Sequence, residues 1–478
     1  MPPINGTILQ AFHWDTPDDG TLWVETAGNA AALGRAGFTA LWLPPPCKGE
    51  GGSRDVGYGS YDLFDLGEFD QKGTVRTKYG TRADLEDAVR AVHDAGMQVY
   101  VDAVLNHKGG ADATDPVMAT PVSNDNRNIV VGPAREIDAW TRFTFPGRGT
   151  VHSAFQWSAD HFDSVDFDQR TGERAIFRLR DKAFETPVDP ERGNFDYLMF
   201  ADLDSGHPDV RDELHAWGDW IVRTLAVDGF RFDAVKHIRF PFFNDWLDHV
   251  RFGAGGRSLF AVGEYFSGDV ATLRWFIEQT GRRMSLFDFP LRYNMRDISH
   301  GGGLLDMRQV LTGTLVAQDP VLAVTFVDNH DTWQQNRRDE GIAEWFRPLA
   351  YALILLREGG YPCVFYPDYY GGGGRPSLRP VLDVLLAARR DHAYGLQTDY
   401  FDDPNVVGWT RAGDADHPRS MAVLLSDGPG GSKRMWTGRP GATFTDATRA
   451  IGGTVTAGSD GIGEFSCAAG SVSVWLQT

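Results

Sequence analysis

Two hydrophobic patterns alternate along this chain. One is the short unbroken apolar run, and the other places apolar residues three and four positions apart. The runs are Ile8–Trp14, Thr39–Leu43, Gln98–Leu105, Gly229–Val235, Leu259–Glu264, Ser285–Phe289, Ala323–Val327 and Pro362–Tyr366, and each predicts a buried strand. Each is followed by a helical pattern or by a long loop leading to one. Arg82–Ala95 is a clear helix, with Leu85, Ala88, Val89 and Val92 on one face and Gly96 as its stop. Val210, Leu214, Trp217, Ile221 and Leu225 mark another over Asp209–Leu225, and Ala350–Leu356 and Leu382–Ala388 are shorter apolar helices.

Eight strand–helix units predict an α/β protein built as a (β/α)8 TIM barrel rather than an open doubly wound sheet. The first strand lacks the Gly-rich dinucleotide turn of an open sheet. Gly301–Gly303 and Gly371–Gly374 lack the Lys-Ser/Thr of a phosphate loop and read as flexible loops.

Two regions break the alternation. From Asn106 to Gly206 the chain is polar, irregular and rich in Asp, Gly and aromatics, far longer than an ordinary βα connection. After Gly395 the helical period vanishes, and Val406–Thr410, Met421–Leu425, Lys433–Trp436 and Ser471–Leu476 alternate between turn signals. The expected organisation is a barrel over 1–106 and 207–394, an irregular β-rich domain inserted after strand three (107–206), and a C-terminal antiparallel β-sandwich (395–478).

Composition narrows the partners. The 478 residues carry a formal net charge of −19, which argues against nucleic acid or an anionic membrane and suits an enzyme acting on a neutral polymer. Three widely spaced cysteines, Cys47, Cys363 and Cys467, form neither a disulfide framework nor a zinc motif, so buried thiols are expected. No run is long enough to span a bilayer and no secretory leader is evident. The chain as written therefore reads as cytoplasmic, or extracellular if a signal peptide has been removed, and a monomer is expected.

Three of the strands end in acids: Gly229-Phe-Arg-Phe-Asp233, Ala261-Val-Gly-Glu264 and, just past its strand, Phe326-Val-Asp-Asn-His-Asp331. The C-terminal strand ends of such a barrel form its active face. A retaining glycosidase needs one ionised carboxylate as nucleophile and one protonated acid roughly 5–5.5 Å away. Crowding of like charges pushes at least one carboxyl toward its neutral form. Any one of these acids alone reads as a turn residue or an ion pair. Three acids at three strand ends, with His107 and His330 beside them, read as one site.

The segments Asp102-Ala-Val-Leu-Asn-His107, Gly229-Phe-Arg-Phe-Asp-Ala-Val-Lys-His237 and Phe326-Val-Asp-Asn-His-Asp331 resemble signature regions of the α-amylase family, glycoside hydrolase family 13. Glu264 stands where the third region of that family carries its acid. The likeness runs from Gly6 to the C-terminus and is greatest to the liquefying bacterial enzymes and their intracellular relatives. It implies endo-acting hydrolysis of α-1,4-glucan with Asp233 as nucleophile, Glu264 as acid and base, and Asp331 as stabiliser of the transition state. It also implies sugar contacts at Gln10, Trp14, Tyr58, His107, Arg231, Lys236, His237 and His330, with Phe195, Tyr197, Phe266 and Trp333 as weaker groove candidates. Arg231, two residues before Asp233 on its strand, would hold the nucleophile ionised.

The same likeness implies calcium held by Asn106, Asp196, Asp202 and the His237 carbonyl. A calcium–sodium–calcium cluster would add Asp163, Glu185 and Asp204, although Gly206 replaces an expected carboxylate there. A further site would use Gly303 and Asp427, but Pro404 and Asn405 replace its expected His and Asp. One calcium is expected, with further ions weak or absent. A transglycosylating or α-1,6-active relative and a non-catalytic glucan-binding scaffold are the competing readings, the last disfavoured because all three acids are present.

Overall fold

A computed structural model describes residues 5–334 and 340–478. The eight apolar runs form β1 (Ile8–Gln10), β2 (Ala40–Leu43), β3 (Gln98–Ala103), β4 (Gly229–Phe232), β5 (Phe260–Gly263), β6 (Ser285–Phe287), β7 (Ala323–Phe326) and β8 (Tyr361–Phe365). All pair in parallel in chain order, and β8 returns to β1 to close the barrel. Closure leaves no sheet edge, and both faces of each strand are covered, which is why the runs are apolar without alternation.

The helices follow their sequence periods. Thr81 and Asp84 cap Arg82–Asp94 reciprocally, and Leu85, Ala88, Val89 and Val92 are its buried face. Pro208–Leu225 begins with Pro in its first turn and buries Val210, Leu214, Trp217, Ile221 and Leu225. Trp217 and Trp246 are both fully buried and pack together with Phe230 of β4. Burial of each such ring contributes upward of about 2 kcal/mol.

Between β3 and Pro208 lies a six-stranded sheet in the order His107–Lys108, Ala201–Leu203, Phe162–Asp168, Glu173–Leu179, Ala113–Val122, Arg135–Arg142. The C-terminal part has a six-stranded antiparallel sheet and a pair, Gly431–Trp436 with Ile462–Cys467. Leu424, Met435, Phe444, Phe465 and Trp475 form a separate core there. The three cysteines are free and buried. Among the described residues no helix is long and apolar enough to cross a membrane.

Register across three strands levels the site residues. Arg231 of β4 pairs with Asp102 of β3 on one side and Val262 of β5 on the other. Asp233 and Glu264, one residue past the paired Phe232 and Gly263, therefore leave the barrel at the same height. The Asp233 amide still donates to the Ala103 carbonyl (3.1 Å) and the Glu264 amide to the Phe232 carbonyl (2.9 Å). Gly263 keeps the approach to Glu264 uncrowded, since a Cβ there would lie 3.0 Å from Met284 Sδ and 3.1 Å from Leu286 and Val235.

Candidate active site

The chain leaves β4 through a left-handed turn at Ala234, with φ 52°. A non-glycine residue in this region costs about 1–2 kcal/mol. The turn accompanies a bond from the Ala234 amide to Glu264 Oε2 at 2.9 Å. Backbone geometry thus ties the end of β4 to the acid at the end of β5.

Arg231 organises the acids. It is fully buried, and its Nη1 donates to Asp233 Oδ1 (2.7 Å) and Asp102 Oδ1 (2.8 Å), while Nη2 lies 3.6 Å from Glu264 Oε2. Burial alone would favour a neutral guanidine, but Asp102, Tyr58, Asp233 and Glu264 overcome it and hold Arg231 protonated. Burial pushes Glu264 up from 4.5 to about 8; Arg231 opposes that rise, while Asp233 and Asp331 add to it. That shift favours a proton on Glu264 at neutral pH. Asp331 is the most open of the three, 37% exposed, with His330 Nε2 at 3.3 Å.

Aromatic groups line one side. The rings of Trp14, Tyr58 and His330 lie within 12° of parallel, with Tyr58 and His330 centroids 5.0 Å apart. Gln10 Nε2 meets His330 Nδ1 at 3.1 Å, and only Nδ1 as acceptor suits that amide donor. His107 Nε2 donates to the Tyr58 carbonyl at 2.8 Å. Burial holds the His330 ring neutral, well below its ordinary pKa, and lowers His107 as well.

On the other side Lys236 Nζ bonds Glu191 Oε2 at 2.7 Å, and His237 Nδ1 donates to the Phe195 carbonyl at 2.6 Å. A cavity of about 450 Å³ brings together Trp14, Tyr58, His107, Asp233, Lys236, His237, Glu264, His330 and Asp331, with Phe195 and Phe266 also in its wall. Gln10 and Arg231 lie beneath, bonded to its lining. Tyr197 is buried away from it, and Trp333 packs against Phe365 and Arg375.

A second acidic group sits in the inserted sheet. Asp163, Asp196 and Asp202 are all buried, with carboxylate oxygens within 4.8 Å of one another. Burial, and then repulsion from neighbouring acids, raises all three well above the ordinary carboxylate range. Asn106 Nδ2 donates to Asp202 Oδ1 at 3.1 Å, and among the described residues no donor reaches Asp163 Oδ2. Converging buried oxygens with an orphaned acceptor fit a hard cation.

The Glu185 and Asp204 carboxylates lie outside the converging triad, although the Glu185 amide donates to Asp196 Oδ2 at 2.7 Å. Glu185 accepts from Ser205 Oγ (2.7 and 2.8 Å) and the Gly206 amide (2.7 Å), and Asp204 pairs with Lys182 Nζ at 2.7 Å. At the junction with the C-terminal sheets, Asn405 Nδ2 donates to the Gly303 carbonyl (2.8 Å) and Asp427 Oδ1 (2.9 Å). The amide thus occupies the space between those two oxygens.

Sequence reasoning overlooked Asp102, Trp42 and Glu191 as site residues. Trp42 Nε1 (3.1 Å) and the Tyr58 hydroxyl (2.8 Å) both donate to Asp102 Oδ2, so this acid links Arg231 to the stacking tyrosine. Its signal was an acid inside the apolar run Gln98–Leu105, which demands a buried partner. Glu191 is a loop acid with no such signal.

A closed parallel barrel presenting three acids beside an aromatic-lined cavity defines a (β/α)8 protein of the glycoside hydrolase type. The profile for "Alpha amylase, catalytic domain" matches residues 33–126. An α-amylase of Geobacillus stearothermophilus is 53% identical, over 99% of this chain and 87% of the relative. The cytoplasmic α-amylase of Escherichia coli (strain K12) is 41% identical over 99% of both chains. A crystal structure of an α-amylase from Geobacillus thermoleovorans complexed with acarbose superposes with a TM-score of 0.66 at 16% identity, over 99% of this chain and 98% of that one, a likeness of fold. The chain belongs to the α-amylase family, glycoside hydrolase family 13.

Proposed function

We infer that this protein is an endo-acting α-amylase, hydrolysing α-1,4-glucosidic bonds of starch, glycogen and maltodextrins with retained anomeric configuration. The observation that carries the residue roles is Arg231, whose guanidinium contacts Asp102 at 2.8 Å, Asp233 at 2.7 Å and Glu264 at 3.6 Å.

Asp233, paired with the cation, is the ionised nucleophile that attacks the anomeric carbon. Glu264 starts protonated and gives its proton to the departing glycosidic oxygen. The Ala234 amide engages Oε2, which leaves Oε1 to carry that proton. Glu264, now ionised, takes a proton from the water that opens the glycosyl-enzyme. Asp331 and His330 bind hydroxyls of the reacting sugar, and Tyr58 offers its ring face to it. Neutral His330, whose Nδ1 accepts from Gln10, can donate from Nε2 to the sugar without adding charge beside Glu264, whereas the one N–H of neutral His107 is held by the Tyr58 carbonyl.

Asp163, Asp196 and Asp202, with Asn106 beside them, would hold a calcium ion, whose charge would neutralise buried carboxylates next to His107. Glu185 and Asp204 already have donors and are weaker ligands. All three acids of the site come from one chain, which supports action as a monomer. The cytoplasmic relative supports a location in the cytoplasm, testable by cell fractionation. Proton NMR of the first products from maltoheptaose tests the mechanism. The α-anomer is expected, and an initial β-anomer overturns the assignment of Asp233 as nucleophile.

A further inference from the structure

Asp189 lies outside the cavity, 7% exposed, yet four of its hydrogen bonds run to the wall around Glu264. Its carboxylate accepts the hydroxyl of Tyr265, the fully buried residue next to Glu264. It also accepts the Glu191 amide at 2.7 Å. Its own amide donates to the Lys236 carbonyl (3.0 Å), and its carbonyl receives the Phe195 amide (2.9 Å).

Glu191, Phe195 and Lys236 all line the cavity. They are also bound to one another, because Lys236 Nζ bonds Glu191 and lies 4.9 Å from the Phe195 ring centroid. The loop that carries Glu191 and Phe195 is not relaxed by itself. Arg192 has φ 55° and Gly193 φ 81°, both in the left-handed region where a side chain is strained. A loop of this kind needs an anchor, and Asp189 anchors it to the ends of β4 and β5 at once.

The acid protonates the departing oxygen, so the wall beyond Glu264 faces the departing half of the chain. We propose that Asp189 is a positioning residue that sets this wall against Glu264, and so governs how glucosyl units on the leaving side are held. This rests on the reading of Glu264 as the general acid. It concerns a residue that touches neither substrate nor the reacting atoms.

The test compares two substrates. Maltoheptaose must place departing glucosyl units on the wall, whereas chloronitrophenyl α-maltotrioside departs as a phenol that does not need it. In Asp189→Ala, kcat/KM for maltoheptaose should fall about 10-fold or more, mostly through KM, with under about 3-fold loss on the aryl substrate. Tyr265→Phe removes one oxygen and should shift the two substrates in the same unequal way by a smaller factor. Combined with Asp189→Ala it should add little.

Equal losses on both substrates would reduce Asp189 to a structural anchor, and no loss on maltoheptaose would also overturn the proposal. Tyr265→Phe decides the matter even if Asp189→Ala folds poorly. Glu264→Gln is assayed alongside. If it turns over normally the reading of the acid fails, whereas a dead Glu264→Gln with equal losses in the other variants sinks only the role of Asp189.

Discussion

Two groups of three acids among the described residues answer like-charge crowding differently. Asp233 and Glu264 sit with Asp102 around a guanidinium supplied by their own barrel, and Asp331 shares their cavity. Asp163, Asp196 and Asp202 are as crowded and more deeply buried, yet among the described residues no basic side chain pairs with them. The first cluster balances charge internally, which frees one carboxyl to carry a proton. The second balances it only by borrowing a cation or taking up protons. A catalytic centre gains from a fixed internal cation, since a permanent charge sets carboxyl protonation regardless of metal supply. A structural joint can depend on an ion, because an ion reaches several chain segments that no single side chain could span.

The largest expected effect breaks the first cluster. Asp233→Asn and Glu264→Gln should each lower turnover by about 10⁴-fold or more while near-UV circular dichroism stays native. Substantial residual reducing-sugar release by either purified variant would remove the comparison altogether. Arg231→Met leaves Asp102, Asp233 and Glu264 without their counter-charge and should destabilise the fold by about 3–5 kcal/mol, read from denaturant unfolding.

The second cluster should respond with a change of sign. In calcium, Asp163→Asn weakens the ion and should lower Tm; after chelation it relieves repulsion and should raise Tm relative to the chelated parent. If calcium is present at about 1,000 times its Kd, chelation of the parent removes about 4 kcal/mol, or roughly 4 °C for a chain of this length. An Asp163→Asn variant that is less stable than the parent under both conditions would mean the acids are held by their own hydrogen bonds.

Glu264 sharpens the contrast through pH. Its carboxyl is raised from 4.5 to about 8, so activity needing the proton should fall as pH rises through about 8. The same shift means the folded state binds more protons than the unfolded chain between those values. The stability linked to Glu264 is thus complete below 4.5 and is lost as pH climbs to about 8. Arg231→Gln removes the group that lowers this pKa and should move the titration upward, whereas Asp331→Asn removes a repelling charge and should move it downward. Carboxyl infrared difference spectra would follow both, and shifts in the same direction would refute the electrostatic account. The smallest effect is expected at Trp14, where loss of a stacking ring in Trp14→Ala should lower kcat/KM about 3–10-fold.

Much of this was legible in one dimension. Barrel strands announce themselves as apolar runs because both of their faces are covered, and an acid that closes such a run has few reasons to be there. Asp233, Glu264 and Asp331 were found that way, and the likeness of their motifs to family signatures pointed to Gln10, Trp14, Tyr58 and the histidines. Asp102 interrupts a run just as clearly but was passed over, because its importance lies in facing Arg231 across β3 and β4. Asp189 and Glu191 were invisible for a different reason, since loop acids are common and nothing in their spacing sets them apart.

The order of strands, the positions of the acids and the absence of a disulfide pattern follow from residue type and spacing along the chain. Pairing register, the left-handed turn at Ala234 and the separate fates of Asp163, Glu185 and Asp204 do not. Those depend on which distant segment supplies the neighbouring charge or donor. Lys182 pairs with Asp204, Ser205 caps Glu185, and among the described residues no donor reaches Asp163 Oδ2. A carboxylate looks the same in the sequence whether its partner is an arginine, an amide or an ion. Electrostatic energy depends on separation in space and on burial, and both are set only when the chain closes on itself.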